Sequence, residues 1–318
     1  MYTVITTFHQ PGLEQYGQRM IDTFESLWPA EVDLVVCAEN CQPKTTRSNT
    51  HVHDLLAVSS HLRAFVERHR NNPLAHGLAG PPEVFDPRKT FRWNAVRFAY
   101  KVYSVALCAN QLSSGWMIWL DADTHTHGPV PIDWLPTVCP PDAMISYLGR
   151  GEKYHSECGW VAYNLDHPET RNFIRDFVGM YNTDEIFKLA EWHDSYVWDQ
   201  VRRRYQGNNK FYNLNPGSNK KGAGHPFINS ALGLYMDHAK GTRKLQGGQP
   251  HTRNTTAPCS ALLARNGKEI THVPSTPLVV SRSRHTFFCH ADQKHCQGWC
   301  CCVSRTRAQG QCWPLQGP

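Results

Sequence analysis

One stretch constrains the fold more than any other: Trp116-Met117-Ile118-Trp119-Leu120, followed at once by Asp121-Ala122-Asp123. Five bulky apolar residues in a row offer water no polar face, so they read as a strand covered on both sides. Such strands belong to parallel sheets flanked by helices. Two carboxylates at i and i+2 then mark where the chain leaves the sheet. Open parallel sheets collect their ligands at the carboxyl ends of strands.

The first 250 residues repeat this grammar. Residues 2–8 alternate and run into Phe-His-Gln-Pro-Gly, which predicts a strand and a loop. Leu13, Tyr16, Met20, Phe24 and Leu27 fall at helical spacing, and residues 32–38 form a short apolar strand. The chain thus opens β-loop-α-β, the start of a parallel sheet. Helices are predicted over 54–69, about 91–111, 168–181 and 191–205, and strands over 143–148 and 158–164, with a Pro-, Gly- and Asn-rich loop at 71–90. The fold class expected is α/β, a mostly parallel sheet flanked by helices in a single domain, residues 1–250.

Composition matters chiefly for what it excludes. The formal charge is +6, yet residues 1–250 hold 25 Lys+Arg against 25 Asp+Glu, and the whole excess lies in 251–318. A basic balance therefore gives no argument for nucleic acid at the main domain. Five of the 12 cysteines (Cys37, Cys41, Cys108, Cys139 and Cys158) are scattered there and fit reduced thiols. The first residues carry no basic segment and no long apolar run, so a cytoplasmic protein without a transmembrane segment is expected. Residues 251–318 lose all periodicity and include Cys300-Cys301-Cys302. They read as a basic, Cys-rich, poorly structured tail whose spacings fit no ordinary zinc site.

Asp121 and Asp123 suit a hard divalent cation bound through oxygen. The physics favours one if the ligand is a diphosphate. Two like charges about 4 Å apart repel by roughly 4 kcal/mol at an effective dielectric near 20. Mg²⁺ or Mn²⁺ between them reverses the sign and stabilises charge on a leaving diphosphate. The bland alternative is a pair of turn or cap residues. Far downstream, Asp237-His238-Ala239-Lys240-Gly241-Thr242-Arg243-Lys244 contains His-x-x-Gly-x-x-Lys. His238 offers an imidazole to a metal, Gly241 permits a tight turn, and Lys244 can meet phosphate charge.

The order of these motifs resembles the GT-A glycosyltransferase superfamily, most closely glycosyltransferase family eight, which includes glycogenin and bacterial lipopolysaccharide galactosyltransferases. The resemblance covers roughly residues 2–245. It implies a Rossmann-like GT-A fold and a retaining hexosyl transfer from a nucleotide-sugar, UDP-sugar by preference. It also implies Mn²⁺ or Mg²⁺ on Asp121, Asp123 and His238, with Asp121, Gly241 and Lys244 toward the diphosphate. Ser156-Glu157-Cys158-Gly159-Trp160-Val161-Ala162-Tyr163-Asn164-Leu165 is similar to the family's intervening strand. Departures fall on the acceptor side: Leu245-Gln246 stands where Pro-Trp is usual, and Trp192-His193-Asp194-Ser195 where Gly-Asp-Gln is common.

By the same resemblance, Thr6, Thr7 and Phe8 are expected to touch the base and ribose, with Glu39-Asn40 of equal standing. Arg97 is favoured over Lys101 as the donor-side cation. Asp194 is the catalytic candidate, as a stabiliser if configuration is retained and as a general base if it is inverted. The acceptor is a glycan, a lipid-linked sugar, a protein, a small molecule or, less usually, a hydroxymethylated DNA base. Arg202-Arg203-Arg204 with Lys210, Lys220 and Lys221 bears on that last option. Two other classes compete: a metal-dependent nucleotidyltransferase, and a non-enzymatic nucleic-acid-binding protein acting through the basic tail.

Overall fold

The computed structural model describes residues 1–151, 154–205, 210–216 and 225–244. The expectation for 251–318 lies outside these residues, as do Lys220 and Lys221. Among the described residues no helix is long and apolar enough to cross a membrane.

The chain opens with strand β1 (Tyr2–His9), a helical segment ending in α1 (Gln18–Leu27) and β2 (Val32–Glu39). Strand β3 (Thr50–Asp54) and helix α2 (Ser60–Arg68) follow, then α3 (Ala95–Gln111), which delivers the chain to β4 (Trp116–Leu120). Next come β5 (Thr124–Thr126), β6 (Ile145–Leu148) and β7 (Glu157–Asn164). Helices α4 (Thr170–Asn182) and α5 (Asp194–Arg204) precede β8 (Phe211–Asn213) and β9 (Met236–His238).

Seven strands form one sheet in the order β3-β2-β1-β4-β7-β6-β8. All neighbours pair in parallel except β4–β7 and β7–β6, so β7 alone runs against the rest. This is the α/β, mostly parallel sheet with flanking helices that the sequence predicts. Side chains alternate between two apolar layers, as strand geometry requires. Met117 and Trp119 of β4 pack in one layer with α2, α3, α4 and α5, while Trp116, Ile118 and Leu120 pack in the other with α1. Every residue of β4 is buried, which explains its unbroken apolar run.

Two features of this sheet make a site. Strand order runs outward from β1 to β2 and β3, then returns to β4 on the other side of β1, so β1 and β4 flank the switch point. Their pairing stops at Ile5–Trp119, whereas β1 stays paired with β2 as far as His9–Glu39. The carboxyl ends of β1 and β4 therefore part, and Asp121 emerges at the opening. The second feature is a small antiparallel ribbon in which Thr124 of β5 faces His238 of β9. A further bond from Ala239 N to the Asp123 carbonyl, 2.9 Å, extends it.

Ile118 is fully buried at the centre of β4. Truncation to alanine there removes packing that cannot relax, so Ile118→Ala is expected to lower the unfolding free energy by about 2–5 kcal/mol. Urea denaturation measures it, with an unchanged denaturant slope showing that the loss is one of stability alone.

Candidate active site

The aspartates and His238 meet. His238 Nε2 lies 2.8 Å from Asp123 Oδ1 and 3.6 Å from Asp121 Oδ2. One ligand atom from each of the three falls within 4.8 Å of the others, the spacing of a cation's coordination shell. Two carboxylates are the donors that suit Mn²⁺ or Mg²⁺, and the imidazole is a softer third donor, so the set fits a divalent cation and Mn²⁺ better than Mg²⁺. The local reason is the ribbon: pairing β5 with β9 puts His238 beside Asp123, while Asp121 N bonds the Gly159 carbonyl at 3.0 Å.

Buried carboxylates persist only when compensated. Burial opposes ionisation of Asp123, but His238 and then Lys244, whose Nζ is 2.6 Å from Asp123 Oδ2, hold its carboxyl well below the usual range. Lys244 also lies over the Tyr16 ring, 5.1 Å from its centroid. Desolvation likewise works against the His238 cation, and Asp123 outweighs it to raise the imidazole. Gly241 adopts φ +61°, the left-handed conformation that favours glycine, in the turn between His238 and Lys244.

A second cation organises the other side. Lys101 Nζ sits 2.9 Å from Asp121 Oδ1, 2.6 Å from Asp194 Oδ2 and 2.6 Å from the Cys158 carbonyl. Burial would neutralise it; Asp121 and Asp194 overcome that and push its pKa up. The Trp119 indole N–H donates to the same Asp121 oxygen at 2.6 Å, with Lys101 over its ring. Asp121 thus has one oxygen fixed by the protein and the other turned toward His238. Asp194, at the start of α5, is joined to this network through Lys101 and is buried. Burial opposes its ionisation, and Lys101 and His193 hold its carboxyl below the usual range.

The remaining sequence candidates divide. Thr6 and Phe8 are buried; Phe8 packs in the interior layer with Leu13 and Met20, and Thr6 Oγ1 has no hydrogen-bond partner among the described residues. Strand alternation separates the three, because only Thr7 points to the other face. Its hydroxyl meets the Cys37 carbonyl at 2.5 Å and donates to Glu39 Oε1 at 2.9 Å. Arg97 is exposed on α3, and its charge is felt at Glu39 and Tyr16 rather than at the aspartates. The site cation on that helix is Lys101, four residues on and one turn closer to Asp121. Of the arginine run, Arg202 is taken up by Asp199 at 2.9 Å and lies over Tyr147, and Arg204 reaches Met180. Glu157, quoted in the sequence only as part of a strand, is buried behind His238. Its signal is a charged residue at the edge of an otherwise apolar run.

Glu39 ends β2 beside Thr7. Desolvation pushes its carboxyl up to about 7, against the Thr7 hydrogen bond and the Arg97 charge. A neutral carboxyl at a strand end can donate as well as accept a hydrogen bond.

No family model matches the chain, and no curated protein matches it. Solved structures that align with it include mouse xyloside xylosyltransferase 1 in its apo form (11% identity, 67% of this chain, 85% of that one, TM-score 0.39). Another is a glycosyltransferase involved in glycosylation of the major capsid of PBCV-1 (11% identity, 78% and 99% covered, TM-score 0.43). A third is the glycosyltransferase GlyE of Streptococcus pneumoniae TIGR4 (8% identity, 67% and 45% covered, TM-score 0.38). With TM-scores this low, what the residues do has to be read from their own geometry.

The sign of the Glu39 shift makes a prediction. Its folded pKa, about 7, stands above its ordinary 4.5, so the folded protein holds a proton that the unfolded chain has released. Stability should therefore fall as pH rises from about 4.5 to about 7, by up to about 3 kcal/mol from this group. Glu39→Gln should flatten that slope, as measured by thermal or urea unfolding across the interval.

Proposed function

We propose that this chain is a GT-A-type glycosyltransferase that moves a sugar from a nucleotide-sugar, a UDP-sugar by preference, to an acceptor hydroxyl. One observation carries the reading: Asp121, Asp123 and His238, far apart in sequence, converge at the switch point of the sheet with Lys244 beside them. Asp121, Asp123 and His238 would hold Mn²⁺ or Mg²⁺, which neutralises the donor diphosphate and stabilises it as a leaving group.

The chain's own residues supply the rest. Lys101 and Trp119 fix one oxygen of Asp121, so its other oxygen is presented in a set direction. Lys244 reaches the site from the turn after β9 and supplies a compact positive charge for phosphate oxygen. Thr7 and Glu39 line the cleft on the β1–β2 side, where hydrogen bonds to a ribose fit a hydroxyl and a carboxyl already in contact.

Asp194 bears on stereochemistry. A general base works best with a proton affinity near the working pH. Asp194 is buried against Lys101 and held below the ordinary carboxylate range, which makes it a poor base and a good fixed negative charge. That argues against Asp194 as the base of an inverting transfer and so favours retention of configuration, with its own charge already matched by Lys101. The paired contacts of Arg202 and Arg204 give a DNA acceptor no particular support.

A panel of nucleotide-sugars tests the reading, with hydrolysis followed in the presence of Mn²⁺ and after chelation. A UDP-sugar is expected to turn over only with the metal, and Asp123→Asn to abolish turnover while circular dichroism stays native. Equal turnover after chelation overturns the proposal.

A further inference from the structure

His238 has a neighbour on the side away from the acidic pair. Its Nδ1 faces Glu157 Oε1 at 3.5 Å, long for a hydrogen bond, and makes none to any other described residue. Bonds of this kind often tighten only when the site is filled. Glu157 is only 4% exposed, and its carboxylate is aimed by several contacts. Gly159 N donates to Oε1 at 3.3 Å, while Lys240 Nζ and His225 Nε2 meet Oε2 at 2.5 and 3.1 Å. Oε2 is thereby occupied, and Oε1 is left facing the imidazole.

The ring is also held from its face. A Cβ on Gly159 would come within 2.5 Å of both Cε1 and Nδ1 of His238, so the imidazole lies directly on the glycine. His225 and Phe227 meet it edge-on, with centroids 5.5 and 5.6 Å away. Packing thus fixes the plane of the ring. It does not decide which nitrogen bears the proton: carboxylates face both, Asp123 Oδ1 at 2.8 Å from Nε2 and Glu157 Oε1 at 3.5 Å from Nδ1, and only the Asp123 side is shared with the cation site.

We propose that Glu157 is a positioning residue for His238: it holds a proton on Nδ1, so that when a cation enters it is Nε2, which otherwise shares its proton with Asp123 Oδ1 at 2.8 Å, that turns its lone pair to the ion. The inference rests on the reading that a divalent cation binds there. A carboxylate behind a metal-bound imidazole sets the tautomer and raises ligand basicity, and its removal typically weakens metal affinity by about 10- to 100-fold. Lys240 and His225 make the buried charge sustainable, since each places a hydrogen-bond donor or positive group on it.

Isothermal titration of the full chain with Mn²⁺ in the presence of UDP tests this in three proteins: wild type, Glu157→Gln and Asp199→Asn. Asp199 is an equally buried carboxylate, bound to Ser156 and Arg202, and serves as the control. Mn²⁺ binding about 10- to 100-fold weaker in Glu157→Gln, and unchanged in Asp199→Asn, is expected. Equal affinity of wild type and Glu157→Gln overturns the inference while leaving the metal reading intact. No Mn²⁺ binding by the wild type overturns both. Should Glu157→Gln fail to fold, ¹⁵N spectra of the wild-type histidines with diamagnetic Cd²⁺ decide: His238 is expected to keep its proton on Nδ1, and Nδ1 coordination overturns the inference.

Discussion

Acidic groups crowded into a protein interior must be neutralised, and at this sheet switch point that demand organises nearly everything. Asp123, Glu157 and Asp194 are buried, and Asp121 stands at the same opening. Against them the chain brings Lys101, His238, Lys240 and Lys244 from α3, from β9 and from the turn after it. A pair of charges taken out of water is strongly destabilised when either partner is removed. The carboxylates and cations therefore hold one another in register, and the secondary structure around them serves to bring them together.

Much of this was readable from the residues, for a physical reason. Strand β4 is buried on both faces, so its sequence has no choice but to be apolar, and the first polar residues after it mark the sheet's edge. Helix α3 and the pair β1–β2 announce themselves by ordinary periodicity. The His238–Lys244 motif could be tied to the aspartates because the resemblance supplied the order. Less visible were β3, β5, β8 and β9, which run only three to five residues. At that length alternation carries almost no signal, and pairing partners decide the structure. The ribbon that positions His238 lies among them, so its existence could not be read from local sequence.

Neighbouring residues that the sequence groups together are equally instructive. Thr6 and Phe8 sit next to Thr7 at a strand end, and a sequence motif treats the three as one loop. The strand continues to His9, however, and its alternation sends two of them into the core. Lys101 and Arg97 share a helix face at a spacing of one turn, so sequence alone cannot say which reaches the carboxylates. The contacts settle it: Lys101 reaches Asp121 and Asp194, while Arg97 is exposed one turn earlier. Glu157 was hidden inside a run of strand residues because its role depends on a ring contributed from β9.

The bridge that Lys101 makes between Asp121 and Asp194 also limits how this protein can evolve. Loss of the lysine leaves the buried Asp194 and the half-buried Asp121 without the cation they share. Loss of either acid strands part of an ammonium's compensation. No single loss of charge from the trio leaves the other two balanced, so descendants of this chain should retain the three charges together or exchange them as a set.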